Sequence, residues 1–106
     1  MEKTDALAAL SALAQETRLD VFRLLVAAGP EGLAVGRIAG ELGLAAATLS
    51  FHLGHLRQAG IVTCRREGRM LIHAADFTRM GDLMAYLSEN CCAGADCGLP
   101  RRGVRA

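Results

Sequence analysis

The stretch LAVGRIAGELGLAAATLSFHLGHLRQAGIV, residues 33–62, contains two short amphipathic segments joined by a turn. Apolar residues at helical spacing in the first segment predict one buried face: Val35, Ile38, Ala39 and Leu42. The second segment repeats the pattern with Leu49, Leu53 and Leu56 and ends at Gly60. Gly43 lies between the two segments, and glycine readily adopts the left-handed conformation with which helices often end. Two short helices joined in this way predict a helix-turn-helix.

Two more helices are predicted before this stretch. Residues 7–13 are rich in alanine and leucine. Residues 16–32 carry an apolar stripe, with Thr17 placed to cap the helix start and Gly29-Pro30 placed to stop it. The helix-turn-helix is therefore expected to comprise the third and fourth helices of the chain.

The periodicity changes after Gly60. Residues 62–74 alternate in the manner of two strands around a Glu67-Gly68 turn. Asp76 is placed to cap a fifth helix. The predicted order α-α-α-α-β-β-α is that of a winged helix-turn-helix, a mainly α fold with a small β-hairpin (α+β). We expect this domain to occupy residues 1–90 and residues 91–106 to form a flexible, cysteine-containing tail.

Length and composition limit the class of protein. The chain has 106 residues, 52% of them hydrophobic, which is enough for one folded domain. No apolar run approaches the roughly 18 residues of a membrane span, so no membrane partner is expected. The N-terminal residues lack the basic start and apolar block of a signal peptide. We therefore expect a cytoplasmic protein, in which thiols stay reduced.

Positive charge is concentrated in one short segment. The net charge of the chain is only +1. Residues 57–69, however, hold four arginines against one glutamate, a local charge of +3. A local basic surface is what an anion-binding site requires, although a solvated basic loop would show the same composition.

Three segments carry a resemblance to a known family: LAQETRLDVFRLLV, IAGELGLAAATLSFHLGHLRQAGIV and RREGRMLIHA. They resemble the arsenical-resistance repressor (ArsR/SmtB) family over about residues 7–90. The pattern S-x-H-L-x-x-L-x-x-A-G-[IL]-V, here residues 50–62, is the most specific part. The resemblance implies a homodimeric repressor that a metal or metalloid releases from operator DNA, and not an enzyme.

The outward face of the fourth helix is expected to read DNA. Short polar groups and two histidines lie away from the leucines, as base recognition requires; a solvated helix face is the alternative. The predicted DNA-binding residues, with the basic segment included, are Thr48, Ser50, Phe51, His52, His55, Arg57, Arg65, Arg66 and Arg69. By resemblance the family's operator contacts lie near the helix start, which here is Ala45-Ala46-Ala47. Methyl contact with thymine is the substitute that alanines offer for polar readers.

The hairpin is expected to act as the wing. Arg66 and Arg69 flank its turn and are predicted to lie opposite each other, where like charges destabilise a hairpin. A DNA phosphate is the compensating partner that we expect, and two solvated arginines are the alternative. Cys64, alternating with core residues on a strand, is predicted to be buried.

The fifth helix carries an apolar stripe formed by Phe77, Met80, Leu83, Met84 and Leu87. The core is already served by four helices and a sheet, so we expect two copies of the chain to share this stripe, as the resemblance also implies. A two-fold dimer predicts an inverted-repeat operator.

Three of the four cysteines, Cys91, Cys92 and Cys97, lie within seven residues after this helix. Neighbouring Cα atoms are about 3.8 Å apart, whereas disulfides favour roughly 4.4–6.8 Å. Cys91 and Cys92 are thus a poor disulfide and a good two-sulfur chelate, to which Cys97 can fold back. Three thiolates suit arsenite or antimonite, whereas zinc would need a fourth ligand from Cys64 or Asp96.

The resemblance supports the same metal site, because a subset of the family's arsenic sensors carries cysteines at the end of the last helix. The cysteine motif of other members on the third helix is absent here, and so are the histidines of zinc sensors on the last helix. The predicted inducer is As(III), with Sb(III) or methylarsenite as further ligands. A thiol redox switch and a sensor of cadmium or lead remain alternatives. A small thiol enzyme or metallochaperone is disfavoured, because a C-x-x-C motif with a βαβ pattern is missing.

Overall fold

The predicted winged helix-turn-helix is present in the computed structural model, which describes residues 1–98. In chain order its elements are α1 Lys3–Leu13, α2 Glu16–Ala28, β1 Leu33–Ala34, α3 Val35–Leu42, α4 Ala46–Gln58, β2 Val62–Glu67, β3 Met70–Ala75 and α5 Phe77–Leu87. A 3-10 helix, Cys91–Gly94, follows. Residues 99–106 of the expected tail lie outside the described residues. No helix in residues 1–98 is long and apolar enough to cross a membrane.

The turn between α3 and α4 follows from the glycine at its start. Gly43 adopts a left-handed conformation, with φ 64° and ψ 36°, and its N–H donates to the carbonyl of Ala39. Leu44 N–H also donates to that carbonyl, at 3.0 Å, so the last turn of α3 is closed. The chain is extended again at Ala45, and α4 begins at the next residue. The predicted helix-turn-helix is confirmed at these bounds.

The core holds the inner face of α4. Leu49, Leu53 and Leu56 are at most 1% exposed and belong to the same cluster as Leu25 and Ile38. Helices α1, α2 and α3 all pack against α4. Burial of one leucine side chain stabilises a fold by about 1.5–3 kcal/mol. The three leucines therefore set the rotation of α4 and decide which of its residues face outward.

The helix starts differ partly from the prediction. The cap of α2 is Gln15 and not Thr17: the Gln15 side chain accepts a hydrogen bond from the N–H of Arg18 at 2.8 Å. The prediction was wrong because extended backbone at Gln15 lets its longer amide reach the free N–H group. Asp76 does cap α5, where it accepts from the N–H of Arg79 at 3.0 Å.

The sheet has three antiparallel strands in the order β1-β3-β2. The sequence did not predict β1, because a strand of two residues is too short to show alternation. Its approach to β3 depends on Gly32, where a Cβ atom would collide with the carbonyl oxygen of His73. Gly32 also has φ 73°, which disfavours any other residue.

The hairpin register differs from the predicted one by one residue. Arg66 pairs with Leu71 and Glu67 with Met70, so the turn is Gly68-Arg69 and Arg66 does not face Arg69. Glycine takes the first turn position because the chain needs φ 61° there. The prediction that Arg66 and Arg69 repel each other across the hairpin is therefore wrong.

The predicted burial of Cys64 is also wrong. Strand β2 lies at the edge of the sheet, and only its first residue, Val62, is buried. The Cys64 side chain is exposed, although its partner across the sheet, His73, is buried. The alternating residue types of β2 thus do not correspond to alternating burial, because within residues 1–98 both faces of this end of the strand stay exposed.

Candidate nucleic-acid interface and cysteine site

The outward face of α4 presents most of the predicted DNA-binding side chains. Exposed residues on it are Thr48, Ser50, Phe51, His55, Arg57 and Gln58. The hydroxyls of Thr48 and Ser50 make no hydrogen bond to other described residues. The helix contains no acidic residue. This face can therefore offer donors and apolar groups to an anionic partner.

His52 does not lie on this face. It is 9% exposed, and its Nδ1 has no hydrogen-bond partner in the described part of the chain. Burial, and then the nearby charges of Arg18 and His55, lower the pKa of His52. The predicted contact with DNA does not fit this position, since at 100° per residue His52 falls between the inward leucines and the flank.

A hydrogen bond joins α4 to the wing. Arg57 Nη1 lies 2.8 Å from His73 Nε2 on β3. Guanidinium can only donate, so Nε2 accepts and the ring proton is on Nδ1, which is buried and has no partner among the described residues. Burial first, and Arg57 second, lower the pKa of His73, which keeps the ring neutral and able to accept. Arg57 is thus exposed and held in place at the same time.

The wing arginines fall into two groups. Arg65 is engaged within the chain: its Nε lies 2.8 Å from Glu67 Oε2, and its Nη2 donates to the carbonyl of Glu31 at 2.8 Å. Arg66 and Arg69 are exposed and make no ion pair or side-chain hydrogen bond with other residues in 1–98. These two are therefore the wing cations available to a phosphate.

The apolar stripe of α5 divides into two parts. Phe77, Met80 and Leu83 pack against the core of their own chain, and Leu83 is only 7% exposed. Met84 and Leu87 are each 60% exposed. Met84 and Leu87 are thus the members of the stripe most available to a second copy, whereas Phe77 and Met80 are half-buried.

Sequence reasoning missed a second apolar surface on α1. Leu7 is 57% and Leu10 39% exposed, whereas Ala6 and Ala9 are buried. Helices α1 and α5 pack against each other. The spacing of buried alanines and outward leucines along α1 was the available signal, since an Ala/Leu-rich helix that buries its alanines must expose its leucines.

The structure brings the three C-terminal cysteines together. Cys91 Sγ lies 2.7 Å from Cys92 Sγ and 3.3 Å from Cys97 Sγ, and all three sulfur atoms are within 4.8 Å of one another. None of the four cysteines of the chain is in a disulfide. Within residues 1–98 this group of three thiols is the one arrangement of His, Cys, Asp or Glu that could hold a metal ion.

Left-handed backbone produces this convergence. Asn90, Cys92 and Ala93 have φ of 59°, 61° and 49°, and the Cys91 N–H donates to the carbonyl of Ser88 at 3.1 Å. Such a conformation costs on the order of 1–2 kcal/mol for each residue that is not glycine. Strain of this kind is found where a site needs a particular geometry. The turn after α5 therefore has a shape that directs Cys91 and Cys92 toward Cys97.

Hydrogen bonds join the three thiols. Hydrogen bonding with Cys91, then with Cys97, and a smaller contribution from desolvation raise the pKa of Cys92 to about 11. Asp96 does not belong to the group, and its carboxylate accepts from the N–H of Gly98 at 3.0 Å. The site thus offers three sulfur ligands, which suits a three-coordinate ion and leaves zinc one ligand short.

Comparison with known proteins identifies the fold family. Residues 13–65 match the sequence profile of a helix-turn-helix domain family. The transcriptional activator HlyU of Vibrio cholerae is 32% identical over 94 residues, which cover 87% of this chain and 84% of that protein. A protein from Halobacterium salinarum, named as an arsenical resistance operon repressor, is 42% identical over 60 residues, 57% of this chain and 46% of that one.

Solved structures agree with this match. An ArsR-like regulator from Rhodococcus superposes with a TM-score of 0.71 at 21% identity, over 80% of this chain and 77% of that one. HlyU from Vibrio cholerae superposes with a TM-score of 0.65 at 32% identity, over 82% of this chain and 97% of that one. A homodimeric winged helix-turn-helix DNA-binding domain from Mycobacterium bovis, described as a possible ArsR-family transcriptional regulator, superposes with a TM-score of 0.63 at 30% identity, over 82% of this chain and 81% of that one.

These relatives are described as transcriptional regulators or DNA-binding domains, which confirms the expectation that the chain is not an enzyme. The helix-turn-helix match, the wing and the identity shared with full-length regulators agree with one another. The chain therefore belongs to the ArsR family of winged helix-turn-helix transcriptional regulators.

Proposed function

We propose that this regulator is a cytoplasmic, homodimeric repressor that binds an inverted-repeat operator and leaves it when Cys91, Cys92 and Cys97 bind trivalent arsenic. The observation that carries the proposal is the convergence of these three sulfur atoms within 4.8 Å at the end of α5. The Halobacterium relative, named for arsenical resistance, supports the choice of ligand.

The chemistry of the thiols fits arsenous acid, As(OH)3. Condensation with three thiols breaks three As–O and three S–H bonds, forms three As–S bonds and releases three molecules of water. No electron is transferred and no proton is lost to solvent, so protonated thiols are competent reactants. A divalent cation must instead displace thiol protons and, in the case of zinc, find a fourth ligand. Antimonite would react in the same way as arsenite.

The second part of the proposal is the dimer. Met84 and Leu87 on α5, and Leu7 and Leu10 on α1, are exposed apolar side chains on two helices that pack against each other, and we assign them to one seam. The homodimeric domain from Mycobacterium bovis supports its use as a seam between two copies. The cysteines follow α5 directly. Closure of the turn around an ion therefore shifts the last turn of α5, which carries Leu87 of the proposed seam. A ligand shifts the dimer only by its differential affinity for the two states.

The test is a titration of the protein–operator complex followed by fluorescence anisotropy. Arsenite, antimonite, cadmium, lead and zinc are added separately to reduced protein. Release by arsenite at the lowest concentration supports the proposal, and release by cadmium or lead alone would assign the site to those ions. A reporter gene, silent without arsenite and expressed with it, distinguishes repression from the activation for which the Vibrio relative is named.

A redox switch is the second candidate, because Cys91 Sγ and Cys97 Sγ are only 3.3 Å apart. Peroxide would take two electrons and two protons from the pair, forming a disulfide and two waters. Operator release by peroxide without arsenic, reversed by a dithiol, would favour this candidate over metalloid sensing.

A further inference from the structure

The outward face of α4 carries an apolar strip among its polar side chains. Residues 45–47, at the start of the helix, are three exposed alanines. Phe51, one helical turn after Ala47 on the same face, is 61% exposed. A single exposed aromatic residue is common on protein surfaces. Here it lies in line with the alanines, at the end of the helix that enters DNA in this fold.

Gly54 continues this face and leaves a space beside Phe51. Glycine is among the least favourable residues for a helix interior, so its position in the middle of α4 calls for a reason. Packing within the chain supplies none, because a Cβ atom at Gly54 would meet nothing closer than Arg57 Nη2 at 4.0 Å. The result is a shallow depression lined by Ser50, Phe51, Gly54, His55, Arg57 and Gln58.

Two histidine rings hold Phe51 at the rim of this depression. Its ring centroid lies 4.7 Å from that of His55 and 5.4 Å from that of His52, at interplanar angles of 67° and 69°. Edge-to-face packing of this kind stabilises aromatic pairs. The Phe51 ring is thus packed against two histidine rings, while 61% of the residue stays exposed to solvent.

The charges around the depression indicate the occupant. Helix α4 has no acid, and the guanidinium of Arg57 is among the groups that line the depression. A depression that combines the exposed Phe51 ring with polar side chains and the Arg57 cation suits an apolar group carried by a polyanion. In the major groove that group is the C5-methyl of thymine, which alanine and phenylalanine side chains contact.

We propose that Ala47, Phe51 and the space over Gly54 form a subsite for the thymine C5-methyl group. The proposal rests on the proposed function, since it requires α4 to enter the major groove. Specificity at this position comes from burial of a methyl group and not from a hydrogen bond. Each methyl buried adds about fourfold to affinity, so two equivalent contacts in a symmetric dimer add about 15-fold.

The test uses the full chain and the duplex it selects most strongly from a random library of unmodified DNA. The same duplex is then made with deoxyuridine in place of thymidine, which removes only the methyl groups. We expect the parent protein to bind the uracil duplex about 4- to 15-fold more weakly. Phe51→Ala should bind both duplexes equally, with the affinity of the parent for the uracil form.

Glycine variants separate the subsite from helix stability. Gly54→Ala should raise the melting temperature yet lose thymine discrimination, because its methyl group fills the depression. Gly40→Ala is the matched control: Gly40 lies in α3, has nothing within 4 Å of a Cβ position, and should gain stability while discrimination stays at the parent value. Equal binding of thymine and uracil duplexes by the parent protein would overturn the subsite alone. Selection of no duplex at all would overturn sequence-specific operator binding, and the subsite with it.

Discussion

The α4 face and the cysteine turn are both exposed, but they are positioned by different forces. Buried leucines behind α4 hold its outward residues in place before any DNA arrives. The turn Cys91–Gly94 has no buried residue, and its shape depends on left-handed backbone and local hydrogen bonds. The difference shows why one end suits recognition and the other sensing: a packed surface is preformed, whereas a lightly packed turn is free to respond to a ligand.

The two regions are connected through packed helices. The cysteines follow α5, α5 packs on α1, and α1 packs on α4. Met84 and Leu87 lie between the turn and the buried half of α5. In the proposed mechanism, an ion that reorders the turn would act first on the end of α5, from which packed helices lead through α1 to α4.

The largest effect is expected from charges in the seam. The double variant Met84→Glu/Leu87→Glu should be a folded monomer, because unpaired carboxylates in an apolar contact cost several kcal/mol, at least about 100-fold in dimer affinity. Sedimentation equilibrium measures the dimer dissociation constant of the variant and of the parent. Leu19→Glu is the control, since Leu19 is 43% exposed but lies on α2. Leu83→Glu should instead unfold the chain, because Leu83 is buried within its own protomer.

A double-glutamate variant that still dimerised like the parent would move the seam away from α5. The cysteine turn would then have no dimer contact on α5 through which to affect the α4 face.

The next effect is expected from the cysteines. Cys91→Ser and Cys92→Ser should abolish operator release by arsenite, which in allosteric regulators is typically a change of about 5- to 150-fold in affinity. Cys97→Ser should lose the arsenite response yet keep one to methylarsenite, which has one methyl substituent and needs only two thiols. Release is measured against effector concentration.

Cys64→Ser is the matched control for this series. Its thiol is exposed on β2, outside the group of three sulfur atoms, and the variant should respond like the parent. A silent Cys64→Ser, or a fully responsive Cys97→Ser, would show that the three-thiol site is wrong.

The wing should contribute a smaller, purely electrostatic effect. Arg66→Ala/Arg69→Ala should weaken binding to all sequences about equally and lower the slope of log affinity against log salt by about 0.9 per lost phosphate contact. Arg65→Ala should change the slope less, because Glu67 and the Glu31 carbonyl already engage its guanidinium. An unchanged slope in the double variant would remove the wing from the interface.

The smallest effect is a pH dependence of stability. Burial lowers the pKa of His52 and His73 below the ordinary 6.5, so folding disfavours their charged forms. The unfolded chain then binds more protons, and stability is complete above about pH 6.5 and falls as the pH decreases through the lowered values. Urea unfolding between pH 8 and pH 5 should show this decrease. His52→Gln/His73→Gln should flatten the profile whatever its absolute stability, and a parent profile that rises toward acid would contradict the lowered pKa values.

Much of the exposed face of α4 could be predicted from the chain, because the leucine spacing of α4 implies the opposite face. The prediction failed at His52, which lies near the boundary between the two faces. Only the packing of α4 against its neighbours shows that this side chain turns inward. Arg65 was likewise indistinguishable from Arg66 in the sequence, and its contact with Glu31 joins residues 34 positions apart.

The sequence by itself determined the helix-turn-helix, the cap of α5 and the grouping of Cys91, Cys92 and Cys97, because each depends on residues a few positions apart. Only the tertiary structure decided which part of the α5 stripe is most exposed, that Leu7 and Leu10 of α1 are exposed, and that Cys64 lies open on an edge strand. Those outcomes depend on what distant segments leave uncovered, and no local periodicity reports the contacts between them.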